Sequence, residues 1–336
     1  MTTTTPTVTP IPETLKYPKE TSRITEADLD ELLLFCVRNE ASDITLQTGD
    51  QVVADIHGRL RRVTSHKLSH SEVAALLNLI YGANGTAQIL SGKDLDTHYE
   101  IKPSRSERYR FRVNGTGCHV EGHEGIQITM RTIPIDPPFL KDMNLPSKLL
   151  EGIIPTQGIV VVAGSTGSGK STLLAAIMRE ILQTQTGKVL TYESPIEFVY
   201  DNVPQPNTLM AQHEIPGNLP NFPAAIRNAL RRKPNYILLG EARDKETIAA
   251  VIDAALTGHV VYTTVHSNGV ADTMRRMIAA FPADERHGRA VDLIELMRVV
   301  IWQRLLPTTD GRRVPQREWL VFDDEVREAM LQTDFD

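Results

Sequence analysis

The feature that most constrains how this chain folds is a short glycine-rich motif near the middle of the sequence. It stands between the apolar run 158–163 and a segment with helical spacing of apolar residues, 173–182, and it reads Gly164-Ser165-Thr166-Gly167-Ser168-Gly169-Lys170-Ser171. Glycine lets backbone amides turn inward around a bound anion, because it has no Cβ. The pattern therefore predicts a phosphate-binding loop (P-loop) between a buried strand and a helix.

This loop contains the residue types that are needed to bind a nucleoside triphosphate. Lys170 brings positive charge to the β- and γ-phosphates, and the Ser171 hydroxyl is a ligand for Mg²⁺. The helix that follows points its positive N-terminal end at the same anion. We therefore predict ATP and Mg²⁺ as the bound groups. The predicted nucleotide contacts are Gly164, Ser165, Thr166, Gly167, Ser168, Gly169, Lys170, Ser171 and Thr172.

Around the loop, apolar runs alternate with helical segments. The runs are 158–163, 189–193, 236–239 and 260–265, and the helical segments are 173–182, 222–232 and 247–256. Continuously apolar strands separated by helices are typical of a parallel sheet that is covered on both faces.

The chain before residue 134 has a different pattern. Strands are predicted at 43–46, 52–56, 108–113 and 125–133, with helices from Thr25 and over 72–81, which indicates an α+β unit. A proline-rich stretch follows and predicts a semi-rigid linker. The predicted organisation is a mobile tail (1–22), an N-terminal α+β domain (23–133), a linker (134–140) and the P-loop domain (141–336).

Two glutamates end apolar strands and are candidates for catalysis. Hydrolysis of a bound nucleotide needs an acid that holds the metal and positions water. Glu241 follows the run 236–239, as in a Walker B strand, and Glu193 ends the run 189–193. A solvated loop glutamate is the alternative interpretation for each.

Two histidines flank the run 260–265. A separation of seven residues puts their imidazoles on opposite faces or at opposite ends of the strand, so a shared metal is not expected. His266 is the better functional candidate, since it stands where the other active strands end. A hydrogen-bonded packing role is the alternative for both His259 and His266.

Three arginines, Arg108, Arg110 and Arg112, alternate along one predicted strand of the N-terminal domain. They would lie on one face of that strand. A solvated sheet edge is the ordinary interpretation of such a pattern. An anion-binding face is the alternative, because guanidinium groups suit phosphate.

The bulk composition limits the possible partners. The net charge of −6 argues against general coating of nucleic acid. The two cysteines, Cys36 and Cys118, fit a reducing cytosol. No apolar stretch reaches the roughly 18 residues that span a bilayer, so we expect any membrane role to depend on docking to another protein.

These motifs occur in the same order in one family. From about residue 41 to residue 322 the chain resembles the PilT/GspE-type secretion ATPases. The matching segments are Ala41-Ser-Asp-Ile-Thr-Leu, Arg110-Phe-Arg-Val-Asn, Arg131-Thr-Ile-Pro, Thr191-Tyr-Glu-Ser-Pro-Ile-Glu-Phe, 230–244, 257–268 and Gln303-Arg-Leu, the last at the position of the family's closing helix.

The resemblance implies an α/β architecture in which a PAS-like N-terminal α+β domain precedes a RecA-like ATPase domain with a mostly parallel sheet. It also implies a homohexamer with functional residues in four roles. Glu193 would activate water, Glu241 would help Ser171 to hold Mg²⁺, and His266, with His259, would sense the γ-phosphate. Arg110 and Arg112 would reach the nucleotide as the domains close.

The details favour one branch of the family. No four-cysteine module is present, the helix typical of pilus retraction is absent, and Ser194 and His213 replace an acid and an arginine that are common in relatives. The box around Glu193 and the ending Arg317-Glu-Trp-Leu-Val-Phe-Asp-Asp are most similar to ATPases of Dot/Icm type IVB secretion and IncI-type conjugation. We therefore predict a cytoplasmic ATPase that docks on secretion components of the inner membrane. A type IV pilus retraction motor and a nucleic-acid translocase remain the alternatives.

Overall fold

The computed structural model describes residues 15–104, 107–133, 136–308 and 313–332. The chain divides into two compact units, Met1–Ile135 and Asp136–Asp336. Residues 1–14 of the predicted tail and residues 134–135 of the predicted linker lie outside the described residues.

The first unit is built on an antiparallel sheet of six strands in the order β3-β2-β1-β6-β5-β4. Its elements are α1 (Glu26–Arg38), β1 (Ala41–Gln47), β2 (Val53–Ile56), β3 (Arg59–Arg62), α2 (His70–Tyr81), α3 (Gly85–Leu90), β4 (Leu95–Ile101), β5 (Tyr109–Val120) and β6 (His123–Ile133). This confirms the predicted N-terminal α+β fold.

Alternation along the strands decides which face of this sheet is covered. Phe111 and Val113 of β5 are buried in the core beneath the helices. Successive side chains of a strand point to opposite faces, so Arg110 and Arg112 share the other face. Arg108 lies before the first residue of β5, so the strand itself carries two of the three alternating arginines.

The described part of the predicted mobile tail is packed against the first unit. The Tyr17 amide donates to Val63 O at 2.8 Å, and the Tyr17 side chain is only 8% exposed. Glu20 accepts hydrogen bonds from the amides of Ser65 and His66 at 2.6 and 2.7 Å. Within the predicted tail, the buried Tyr17 and the Glu20 carboxylate therefore attach the chain to the loop at residues 63–66.

The second unit carries a seven-stranded sheet in the order β13-β12-β7-β11-β10-β8-β9. After a 3₁₀ helix at Leu140–Met143, its elements are α4 (Ser147–Gly152), β7 (Gly158–Ala163), α5 (Lys170–Thr184), β8 (Gly187–Glu193), β9 (Thr208–Glu214), α6 (Phe222–Ala229), β10 (Tyr236–Leu239), α7 (Lys245–Leu256), β11 (Val260–Val265), α8 (Val270–Ala279), α9 (Ala283–Leu296), β12 (Met297–Pro307), β13 (Arg313–Val321) and α10 (Asp324–Leu331).

Neighbouring strands of this sheet are parallel, except that β12 and β13 form an antiparallel hairpin. All six residues of β7 are buried, and its side chains enter two separate cores. Ile159 and Val161 pack on one side, whereas Val160 and Val162 pack on the other. The predicted parallel sheet with both faces covered is confirmed.

One element differs in type from its prediction. Gln303-Arg-Leu305 was expected in a closing helix, but these residues lie in strand β12. The segment before them, 297–302, is rich in β-branched and aromatic residues and pairs with the central strand β7. Pairing with β13 continues the strand through Pro307.

Candidate active site

Four neighbouring strands of the second sheet end at the candidate site. The P-loop begins at Gly164 after β7, His266 follows β11, Glu241 follows β10 at two residues' distance, and Glu193 is the last residue of β8. Because these strands are adjacent and parallel, their carboxyl ends share one edge of the sheet. The structure thus brings these four predicted site positions to one edge.

The P-loop is shaped by its glycines and by its own lysine. Gly169 precedes α5 with φ of 84°, a left-handed conformation that favours glycine. Lys170 Nζ donates to Gly164 O and to Ser165 O, each at 2.9 Å. Burial lowers the pKa of Lys170, and the charges of Glu241 and Glu197 oppose this effect. The ammonium group therefore lies within the loop and in the field of two carboxylates.

The outer side of the loop is in close contact with β12. A Cβ on Gly164 would lie 2.2 Å from the backbone oxygen of Gln303, so no other residue type fits there. On the loop itself, the Ser168 hydroxyl is buried and has no hydrogen-bond partner in the described part of the chain. A buried hydroxyl without a partner in a glycine-rich loop fits a cradle for an anion.

Glu193 is the most strongly perturbed acid of the site. It is 9% exposed, and burial raises the pKa of its carboxyl to about 7. Hydrogen bonds to Glu193 Oε1 from the Thr191 hydroxyl, at 2.7 Å, and from Gln212 Nε2, at 3.4 Å, oppose the rise. A carboxyl with a pKa near neutrality suits a general base.

Sequence reasoning missed the supporting role of β9, which lies beside β8. Gln212 also donates to Phe198 O at 2.8 Å, so its amide is fixed between the strand and the loop after Glu193. The contacts join residues 14 and 19 positions apart. No local motif marks Gln212, and only the pairing of β8 with β9 brings it to the site.

His213 also lies on β9, and its side chain contacts the neighbouring strand β8. Its Nδ1 lies 2.9 Å from Thr191 O, and its Nε2 lies 2.7 Å from a guanidinium nitrogen of Arg232. The carbonyl can only accept and the guanidinium can only donate, so Nδ1 carries the hydrogen. Burial lowers the pKa of His213, and the charge of Arg232 lowers it further, which favours a neutral ring.

Glu241 and His266 face each other across the ends of β10 and β11. His266 Nε2 lies 3.7 Å from Glu241 Oε1, and both side chains are partly exposed. The loop that carries Glu241 is tied to β11, since the Thr264 hydroxyl donates to Gly240 O at 2.6 Å and the Ala242 amide donates to Thr264 O at 2.9 Å. These contacts fix the backbone on both sides of the glutamate.

His259 lies at the other end of β11. The amide of Gly158, the first residue of β7, donates to His259 O, whereas the P-loop follows the last residue of β7. The His259 ring contacts Ala254 O and the Thr257 hydroxyl, each at 3.0 Å, at the C-terminal end of α7. About 20 Å of strand separates it from His266, so the structure does not bring His259 to the P-loop of its own chain.

Arg110 and Arg112 lie in the first unit, on the polar face of the sheet. Arg112 forms a two-point ion pair with Asp96 of β4, with N–O distances of 2.8 and 3.3 Å. Both partners are exposed, at 43% and 47% of the side chain. The cross-strand neighbour of Arg110 on β4 is Glu100. Each of the two arginines therefore has an acid of β4 beside it, and Arg112 is accessible to solvent.

Among the described residues, no three His, Cys, Asp or Glu side chains lie together in a way that would hold a metal ion. No helix in the described part of the chain is long and apolar enough to cross a membrane.

Comparison with known proteins places these features in a family. A family model described as "Type II/IV secretion system protein" matches residues 19–317. The chain is similar to the ATPase DotB of Legionella pneumophila, with 55% identity and a TM-score of 0.85, covering 95% of this chain and 87% of that one. It is also similar to the type IV pilus retraction ATPase PilT of Pseudomonas aeruginosa, with 33% identity over 91% of this chain and 86% of the relative.

A third similarity concerns a structure that contains nucleotide. The pilus retraction motor PilT with bound ADP superposes with a TM-score of 0.80 at 29% identity, covering 90% of this chain and 86% of that one. The P-loop, the gathered strand ends and these matches agree. The chain belongs to the type II/IV secretion system protein family and is a P-loop ATPase of that family.

Proposed function

We propose that this chain is the ATPase that powers a type IVB secretion system or a related conjugative-transfer system. The observation that carries the proposal is the gathering of the P-loop, His266, Glu241 and Glu193 at one sheet edge. The chain that carries this site is 55% identical to DotB, well above its 33% identity to the retraction ATPase PilT.

Glu193 is proposed as the general base that activates the attacking water. The base must lose a proton near neutral pH, and a buried carboxyl with a pKa of about 7 does so. Thr191 and Gln212 both contact Glu193 Oε1, which orients the carboxylate through that oxygen. Hydrolysis of ATP to ADP and phosphate would then depend on the ionised form of Glu193.

Ser171 and Glu241 are proposed to hold Mg²⁺. Both offer oxygen, the donor that this cation prefers, and Mg²⁺ commonly takes only one or two protein ligands beside phosphate and water. When bound, the ion would neutralise charge on the phosphates. Lys170 would leave its loop carbonyls for the phosphate oxygens, and His266, beside Glu241, would contact the γ-phosphate.

Arg110 and Arg112 are proposed to complete the site when the domains close. Guanidinium groups stabilise the charge of the transferring phosphoryl group, so their approach would couple closure to hydrolysis. Release after hydrolysis would then move the N-terminal domain, residues 23–133, relative to the P-loop domain, 141–336. We propose that six copies do this in a homohexameric ring.

The ring is proposed to act in the cytoplasm, docked on inner-membrane components of the secretion apparatus. Pilus retraction and nucleic-acid translocation are the competing functions. The case for nucleic-acid translocation rests on a basic cluster formed by Arg227, Arg231, Arg232 and Lys233. Stimulation of ATP turnover by DNA, with steep salt dependence, would favour translocation.

The experiment is a chromosomal Lys170→Ala replacement in the native host, scored for effector translocation, plasmid conjugation and twitching motility. Loss of translocation or conjugation with twitching unchanged is the expected result. Lys245→Ala is the matched control, since Lys245 forms an exposed pair with Glu285 at 2.7 Å. Loss of twitching alone would assign the chain to pilus retraction, and no change in any assay would refute the transport role.

A further inference from the structure

The outer wall of the P-loop is formed by the hairpin of β12 and β13, and its contacts are specific. Gln303 Nε2 donates to Ser168 O at 2.7 Å, and the Gln303 side chain is almost completely buried. Arg317 Nε donates to Gln303 Oε1 at 2.6 Å, and a second nitrogen of Arg317 donates to Met143 O at 2.8 Å. A continuous chain of hydrogen bonds therefore runs from the 3₁₀ helix to the P-loop.

The arginine fixes which way the glutamine amide points. A guanidinium group can only donate, so Arg317 requires the oxygen of Gln303 on its side. The Gln303 nitrogen is thereby directed at the loop. Because Arg317 is half-buried and also tied to Met143 O, this orientation is held from a second element of the domain.

Anchoring the Ser168 oxygen also orients the next amide of the loop, because the two groups belong to one peptide unit. In a trans peptide, the carbonyl of Ser168 and the amide N–H of Gly169 point in opposite directions. Holding Ser168 O against β12 therefore turns the Gly169 N–H towards the inside of the loop. Inward amides are the groups that bind the phosphates in a loop of this type.

We propose that Gln303 is a positioning residue for the nucleotide phosphates, and that Arg317 acts through it by fixing its amide. The inference rests on the binding of nucleotide by this loop, and it is independent of which apparatus the ATPase serves. It predicts that the pair determines nucleotide affinity more than the rate of the chemical step.

A second arginine–glutamine pair in the same hairpin serves as a control for Gln303 and Arg317. The next cross-strand pair, Arg304 and Gln316, has the same chemistry with the two residue types exchanged between the strands, and its Nε to Oε1 distance is also 2.6 Å. Adjacent positions on a strand face opposite sides. Arg304 and Gln316 are exposed, so their contact stabilises the hairpin without touching the P-loop.

The test measures ADP affinity by calorimetry and ATP turnover in the full chain. Gln303→Glu keeps the pairing with Arg317 but replaces the donor at Ser168 O by an acceptor. We expect the Kd for ADP and the KM for ATP to rise about tenfold, while kcat changes less than threefold. The double variant Gln303→Met with Arg317→Met removes both polar partners without burying an unpaired charge, and it should weaken ADP to a similar extent.

The double variant Arg304→Met with Gln316→Met should leave ADP affinity within twofold of wild type. A folded Gln303→Glu protein with unchanged ADP affinity would overturn the proposal, and so would equal losses from the two double variants. If Gln303→Glu does not fold, the double variant Gln303→Met with Arg317→Met tests the proposal in its place. Weakened ADP binding by Gln303→Glu, together with a Lys170→Ala host that shows no change in translocation, conjugation or twitching, would count against the proposed transport function but not against this role of Gln303.

Discussion

The hydroxyl of Thr191 donates to Glu193 Oε1 at 2.7 Å, yet the pKa of Glu193 is still raised to about 7. Burial at the end of β8 is the largest influence, and it outweighs the hydrogen bonds from Thr191 and Gln212. The site therefore keeps a carboxyl that is mostly protonated below neutral pH and mostly ionised above it. Several consequences can be measured.

The first prediction concerns stability. The pKa of Glu193 in the folded state is above its usual 4.5. Its favourable contribution to the free energy of unfolding is therefore present below pH 4.5 and is lost as the pH rises through 7. Glutamine does not titrate, so Glu193→Gln removes this pH-dependent loss of stability. Above pH 7 the variant should be more stable than wild type, by at most about 3 kcal/mol, and the difference should shrink towards pH 5. Urea unfolding at pH 5 and pH 8 checks this, and identical pH dependence in both proteins would contradict it.

The second prediction concerns the pH dependence of turnover. Thr191→Val keeps the size of this buried side chain but removes the hydroxyl that favours the ionised carboxyl. The pKa of Glu193 should rise further, so the acid limb of kcat/KM should move to higher pH, by up to about one unit. A pH–rate profile measures the shift. If the acid limb does not move, the ionisation of Glu193 does not control kcat/KM, and the prediction is contradicted.

The third prediction separates the two histidines of β11. His266 lies 3.7 Å from Glu241, at the edge where the P-loop begins, whereas His259 lies at the opposite end of the strand. His266→Ala should lower kcat at least tenfold and leave ADP affinity within twofold, because ADP lacks the γ-phosphate. His259→Ala is the control and should retain most turnover. Equal losses in the two variants would contradict the sensor role of His266.

The fourth prediction concerns the arginine face of the first unit. Arg112 must leave Asp96 to reach a nucleotide, and an exposed pair of this kind is worth less than about 1 kcal/mol. Arg112→Ala should lower kcat of the assembled full chain at least tenfold with little change in ADP affinity. Asp96→Asn should not lower turnover, since it weakens the ion pair that Arg112 must break and leaves the guanidinium group in place. A large loss in Asp96→Asn would show that the pair serves the fold of the unit.

The sequence predicted the elements that have local signatures. The P-loop is read from eight consecutive residues, and β7, β10 and β11 are read from short apolar runs. Glu193 and Glu241 were found because they end such runs. These features depend on neighbours in the chain, which is why they are visible without a structure.

The parts that were missed depend on contacts between distant residues. Gln303 reaches Ser168 across 135 positions. The family resemblance at 303–305 predicts a helix, whereas the β-branched residues before this motif favour the strand that forms. The backbone hydrogen bond from Tyr17 to Val63 O likewise cannot be read from the Thr- and Pro-rich composition before Tyr17. Only the folded chain brings these residues together.

The most direct test of the central claim, that Glu193 activates the attacking water, is a comparison of ATP turnover and ATP binding in Glu193→Gln. The amide keeps the size of the carboxyl but cannot accept the proton. The variant is expected to bind ATP with wild-type affinity in the presence of Mg²⁺ and to lose at least 100-fold in kcat, on the order of a general base's contribution. Turnover within threefold of wild type would contradict the assignment of the base.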